Sequence, residues 1–306
     1  MSRRRSLALL GVAVMLAAGC EGTSQFLQTV GLPGVPYGGQ ALQVFQAGTK
    51  IAESTKDLDE PQEIELGRAV TAAVGRQYPL YRNVSLTHYV ALVGNAVAAH
   101  SDRPDVRYVF CVLDTMEVNA FAAPGGFVFV TRGSLAIMRD EATLAGVLAH
   151  EVGHVALRHY AETIKKQKRT EGMKDLTMLG AQVGLSRVGG GAGAGLAAAS
   201  PVFYAGADLF VQGILKGHSR EEEMEADRVG FKYALRAGYD PAGLKDFLAA
   251  MVSRGGAADT TKTFFSTHPA LPERVSEQDK LLKEASRPGV RNSDRFQREL
   301  TGPVGG

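Results

Sequence analysis

Between Ala142 and Val155 the chain is almost wholly apolar, yet it carries His150, Glu151 and His154 in the order His-Glu-Val-Gly-His. An apolar run of that length has to be covered on nearly every side. Residues four apart on a helix lie about 40° apart around its axis, so both imidazoles leave one face, one turn apart. The expected element is therefore a helix over about 141–167, largely buried, with one polar patch. Asp140 and Glu141 suit its start, where the helix dipole favours negative charge.

Two imidazoles on one face can reach a single ion at about 2.0–2.1 Å. Glu151 leaves the helix at a neighbouring angle, near such an ion yet free to touch water. A further ligand must come from elsewhere. Position 160 is Tyr160, and His159, extrapolated along the helix, points about 140° away from His154 and should not share the ion. The stretch Ser219-Arg220-Glu221-Glu222-Glu223-Met224-Glu225-Ala226-Asp227 supplies carboxylates instead. Glu223 and Asp227 are four apart and share a face, so one can bind metal while the other orients a histidine. Glu221, Glu222 and Glu225 point elsewhere and are expected in solvent. Ala226 and Gly230 are small enough to allow close approach of another helix.

The rest of the chain sorts into a few regions. Ile64, Leu66, Val70 and Val74 mark one helix, and 86–99 a second. The segment 106–113 is rich in β-branched and aromatic residues. Glu117–Ala122 and Phe127–Thr131 flank the turn signal Pro124-Gly125-Gly126. These read as a small antiparallel sheet, with further helices at about 220–237, 241–253 and 272–285. The fold class is α+β and mainly helical. Residues 188–207 carry no charge but six glycines, which is poor material for a membrane-spanning helix. A lid over 179–217 and a plain solvent loop are both open. No repeat of 20–50 residues is seen.

At the N-terminus, Arg3, Arg4 and Arg5 precede the apolar run 7–18 and then Leu16-Ala17-Ala18-Gly19-Cys20. The run is too short to cross a bilayer, which takes roughly 20 apolar residues, and it fits a secretory signal over 1–19. Its end resembles a lipoprotein box, which implies lipidation of Cys20. Residues 20–60 then form a tether, 61–285 the folded domain and 286–306 a tail. Cys20 and Cys111 are the only cysteines, so with Cys20 lipidated no internal disulfide can form. Net charge is +2, and no basic stripe with interleaved aromatics supports nucleic-acid binding.

Four ordered motifs carry a resemblance. His-Glu-Val-Gly-His is followed by Ser219-Arg220, Glu223 and Glu225-Ala226-Asp227. Asn119-Ala120-Phe121-Ala122-Ala123-Pro124-Gly125-Gly126 precedes them, and Ser266-Thr267-His268-Pro269 with Arg274 comes after. Over roughly 60–280 the chain resembles the HtpX, CAAX-prenyl-protease and BepA/LoiP group of gluzincin metallopeptidases, most of all the lipoprotein LoiP-like members. The resemblance implies a zincin-like domain with one zinc ion, held by His150, His154 and Glu223. It also implies Glu151 as catalytic base and Asp227 behind the ligands. Expected substrates are polypeptides, in particular misfolded envelope proteins, with outer-membrane assembly proteins as possible partners. The expected location is the periplasmic face of the outer membrane, or the soluble periplasm. His268, Arg274 and Tyr204 are candidates to stabilise the oxyanion, His268 first; His268 could instead take the fourth zinc position. The edge at Asn119, Ala120 and Phe121 is expected to bind extended substrate. A chaperone-like binder and a structural zinc protein are the competing readings.

Overall fold

The computed structural model describes residues 60–161, 211–214, 216–254, 259–269, 271–285 and 289–301. Cys20, Tyr204 and nearly all of the Gly/Ala-rich segment lie outside them. Helices α1 (Glu60–Gln77) and α2 (Val84–Ala98) lead into strands β1 (Val109–Leu113), β2 (Ala120–Ala123) and β3 (Phe127–Thr131). Then follow α3 (Arg132–Ile137), α4 (Glu141–Ala156), α5 (Arg220–Arg236), α6 (Ala242–Arg254), α7 (Lys262–Thr267), α8 (Leu271–Glu284) and α9 (Ser293–Thr301).

The α+β class is as expected, but the sheet is mixed. Its order is β1-β3-β2; β2 and β3 form an antiparallel hairpin, whereas β1 runs parallel to β3. The strand pattern of a sequence reports which faces are buried, not which strand lies next door. The hairpin turns through Pro124–Gly126, with Gly125 at φ 72° and Gly126 at φ 91°. A side chain on Gly125 would meet the backbone of α1 at Glu63 and Ile64, so that turn needs glycine for both conformation and space.

Alternation along the strands splits the core in two. Phe121, Ala123 and Phe129 face α1, where Leu66, Val70 and Val74 meet them. Ala120, Ala122, Val128 and Val130 face the larger cluster built by α2, α4, α5 and α6. Helix α4 runs through the middle of that cluster, and every residue from Glu141 to Val155 is buried. Its N-terminus is capped by Asp140, whose side chain accepts from Thr143 N. Residues 289–301, expected to trail behind the folded body, close it instead: Phe296 of α9 is fully buried in the main core.

Candidate metal centre

The two histidines of α4 are held against α5 by small residues. A Cβ on Gly230 would stand 2.9 Å from His150 N, and one on Gly153 within 3.1 Å of Ala226 O. The close approach anticipated from Ala226 and Gly230 is what seats the carboxylates of α5 beside the imidazoles of α4. Ser219 caps α5, and Glu222 closes a capping box by accepting from Ser219 N at 2.6 Å. Glu222 is therefore buried rather than solvated. Capping fixes the first turn of α5, which carries Glu223.

His150 Nε2 and His154 Nε2 lie 3.0 Å apart, and the Glu223 carboxylate is 3.5 Å from the first and 3.4 Å from the second. Donors around one tetrahedral zinc at about 2.0–2.1 Å stand roughly 3.3 Å from one another. The spacing and the two-imidazole, one-carboxylate donor set both fit that ion. A second sign is Glu151, fully buried, whose Oε2 has no hydrogen-bond partner among the described residues. A buried carboxylate oxygen left unpaired is costly, and here it belongs to the residue next to the first imidazole. Burial raises the Glu151 pKa above its ordinary value, as suits a group that must take up a proton.

The structure brings Asp227 to this group too. Its Oδ1 accepts from His150 Nδ1 at 2.8 Å, which leaves Nε2 of that ring as the bare nitrogen. Arg274, also fully buried, donates through Nε and Nη2 to Asp227 at 2.8 and 2.7 Å and through Nη1 to Glu223. Burial alone would raise the pKa of Glu223, but Arg274 and His268 outweigh it and hold the carboxylate well below its usual range. For Asp227 burial is likewise outweighed, chiefly by Arg274. Arg274, weighed from sequence as an oxyanion donor, spends its guanidinium on these two carboxylates and faces them rather than open space.

His268 lies at the C-terminus of α7, buried, with Nε2 donating to Ala120 O at 2.9 Å and Nδ1 3.2 Å from Glu223. Its Nε2 is also 3.7 Å from Glu151. Burial pulls its pKa down, yet Glu223 and Glu151 more than compensate and it is pushed up to about 9. His268 thus joins His150, His154 and Glu223 in one four-residue group able to hold a metal. The β2 edge is buried rather than open. Asn119 Oδ1 accepts from Thr267 Oγ1 at 3.1 Å, and the Ala120 carbonyl is taken by His268. Phe121 turns to the far face, stacked on Phe129 at 5.0 Å.

Two further histidines are drawn in, one of them, His159, against its expected helical direction. Helix α4 ends at Ala156 rather than continuing to 167, so the extrapolated direction of His159 does not hold. Arg158 N bonds to Val155 O and His159 N to His154 O, both at 3.1 Å, with Arg158 at φ 58°. This pair of bonds around a left-handed residue is a Schellman ending, and it folds His159 back onto His154. Glycine is the usual residue at that turn, so an arginine there left no signal in the sequence. His218, just before α5, stacks on His154 with ring centroids 3.9 Å apart. Burial, then His218, hold the His154 pKa well below its ordinary value, so that ring is neutral.

Comparison with known proteins agrees with this geometry. Residues 85–282 match peptidase family M48. The beta-barrel assembly-enhancing protease of Yersinia pestis is 30% identical over 226 residues, 74% of this chain and 44% of that one. Its namesake in Escherichia coli K12 is 27% identical over 235 residues, 77% and 47% of the two chains. The mitochondrial metalloendopeptidase OMA1 of Schizosaccharomyces pombe is 32% identical over 210 residues, 69% and 56%. The chain thus spans about half the length of the curated relatives it matches.

Proposed function

This chain belongs to peptidase family M48 and is a metalloprotease, and from that premise we propose a zinc endopeptidase of the bacterial envelope that cuts unfolded or misfolded proteins. The observation that carries the chemical part is the convergence of His150, His154 and Glu223 beside the unpaired oxygen of Glu151.

The metal would be held by His150, His154 and Glu223. Bound there, zinc supplies a Lewis acid that polarises a carbonyl and brings the pKa of water toward about 7. The residues of the chain do the rest. Glu151 takes the proton of the attacking water and returns it to the departing amine. Its raised pKa favours the uptake step. Asp227 and Arg274 fix the ring of His150 and the carboxylate of Glu223, so the ligands are in place before metal or substrate arrives. His268, with a proton on Nε2 and Glu151 3.7 Å away, is the donor we assign to the oxyanion. To offer that proton it must release the Ala120 carbonyl. The same release frees the outward edge of β2 for an extended peptide, whose main-chain hydrogen bonds would be indifferent to sequence.

The envelope location rests on the basic start, short apolar run and Cys20. Lipidation of Cys20 would place the domain at the periplasmic face of the outer membrane, as in the LoiP-like lipoproteins. No described helix is long and apolar enough to cross a membrane. Relatives named for β-barrel assembly make outer-membrane proteins the substrates of choice for testing.

The test is digestion of a reduced, unfolded protein by the purified chain, with and without a chelator, beside Glu151→Gln. Cleavage that needs metal and is lost in Glu151→Gln supports the proposal. Cleavage that survives both treatments refutes it. Envelope labelling with a radiolabelled fatty acid, lost in Cys20→Ala, tests the anchor.

A further inference from the structure

We propose that His159 is the positioning residue for His154: its Nδ1 accepts the Nδ1–H of His154 and so leaves Nε2 of His154 as a bare donor toward the metal. This inference rests on the metal site proposed above, and it concerns a histidine that neither the His-Glu-Val-Gly-His motif nor the carboxylates of α5 account for.

The argument is one of proton bookkeeping. His154 Nδ1 and His159 Nδ1 stand 2.8 Å apart, a hydrogen-bond distance, and both rings are buried. A neutral imidazole has one N–H and one acceptor. If His154 is to bind metal through Nε2, the nitrogen that faces His150 at 3.0 Å, its proton must sit on Nδ1. His159 Nδ1 must then accept, and the His159 proton moves to Nε2. That nitrogen faces Glu225 Oε2 at 3.4 Å, and a carboxylate only accepts. The opposite arrangement, with the proton of His159 on Nδ1 and that of His154 on Nε2 toward His150 or Glu223, also pairs every N–H. It sets a bare His159 Nε2 against the Glu225 carboxylate, however, and closes His154 Nε2 to a metal. Only the first arrangement both gives Glu225 a donor and leaves the nitrogen the metal requires.

The two ligand histidines are served differently. His150 is oriented by the carboxylate of Asp227 at 2.8 Å, locked in turn by the buried Arg274. His154 is oriented by a neutral ring, presented by the Schellman turn at the end of its own helix. A second metal on Nδ1 of His154 is the rival reading, since His154, His159 and His218 also cluster. It is disfavoured because His154 would have to lose both ring protons.

The test uses the full-length chain in detergent. Zinc affinity is measured by chelator competition for wild type, His159→Leu, His159→Asn and Glu225→Gln, with thermal melting of the metal-free proteins as a control for folding. Asn offers an acceptor near the position of Nδ1; Leu fills similar space without one. The expected result is a loss of about 10–100-fold in His159→Leu, the usual cost of removing a partner behind a metal ligand. His159→Asn should lie within about threefold of wild type, and Glu225→Gln, at the longer and more exposed contact, close to it. Selective ¹⁵N-histidine NMR of the zinc-loaded wild type, which needs no variant to fold, should show His159 protonated on Nε2.

The inference is overturned if His159→Leu binds zinc as tightly as wild type, if His159→Asn is as weak as His159→Leu, if His159 carries its proton on Nδ1, or if wild type takes up a second equivalent that His159→Leu does not. Failure of wild type to bind any zinc would instead remove the metal site itself, a distinct result.

Discussion

The two ends of helix α4 are built for different tasks. At its start, Glu141 is fully buried and receives Tyr89 Oη at 2.7 Å, Asn292 Nδ2 at 3.0 Å and the guanidinium of Arg295. Arg291 bonds Asp140 and Asp240, and its carbonyl accepts from Glu141 N at 2.9 Å. Nearly every group there has a partner from another element. At the other end the helix stops in a strained turn, and its last two turns carry His150, Glu151 and His154, with one carboxylate oxygen left bare. One end ties the helix to the fold; the other spends that rigidity on chemistry. A buried polar group with no partner is tolerable when the surrounding structure is over-determined, and the network at Glu141 provides part of that.

This contrast can be broken from either side. The largest expected effect is on chemistry alone: Glu151→Gln should reduce peptide cleavage by about 10²–10⁴-fold, the range for a lost general base, while the melting temperature stays level or rises. Loss of stability along with activity would mean that this end also holds the fold. The converse substitution, Glu141→Ala, strands Tyr89, Asn292 and Arg295. It should cost about 3 kcal/mol in denaturant unfolding, at the lower end for a broken buried pair because Arg295 is half exposed. Its activity per folded molecule should be nearly native.

Between the ends, Gly230→Ala presses a methyl group against the backbone of His150. It should cost about 1–3 kcal/mol by overpacking and weaken zinc binding as α5 and Glu223 move outward. Native affinity in a destabilised Gly230→Ala would show that the ligand spacing does not depend on that contact. The smallest effect is in acid. Burial tends to raise the pKa of Glu141, but its bonds from Arg295, Tyr89 and Asn292 lower it overall. A carboxylate whose pKa is depressed by folding adds stability above its unfolded value and loses it as pH falls through the folded one. Wild type should therefore lose stability on acidification more steeply than Glu141→Gln.

Much of the site was legible because helical spacing is local. Two histidines four apart in an apolar run, and two carboxylates four apart in a later helix, needed only the pitch of a helix to be placed on matching faces. Ala226 and Gly230 announced close packing, whereas Glu222, which closes the cap with Ser219, reads in the sequence only as a solvent-facing acid. What escaped had no local trace. The parallel β1–β3 pair leaves the same alternation as an antiparallel one, and the burial of the β2 edge depends on a histidine about 150 positions away. Arg274 stands out with the His268 motif, but its task, bridging two carboxylates of another helix, shows only once the helices are packed.

Sequence alone determined that this chain would bury a helix bearing two imidazoles and a glutamate and set a second acidic helix beside it, because residue spacing and side-chain size act within one element. Only the tertiary structure decided which carboxylate meets which ring, that His159 turns back onto His154, and that His268 lies on the Ala120 carbonyl. Those choices depend on where separate elements come to rest, and the free energy that fixes them comes from the shared core rather than from any one segment.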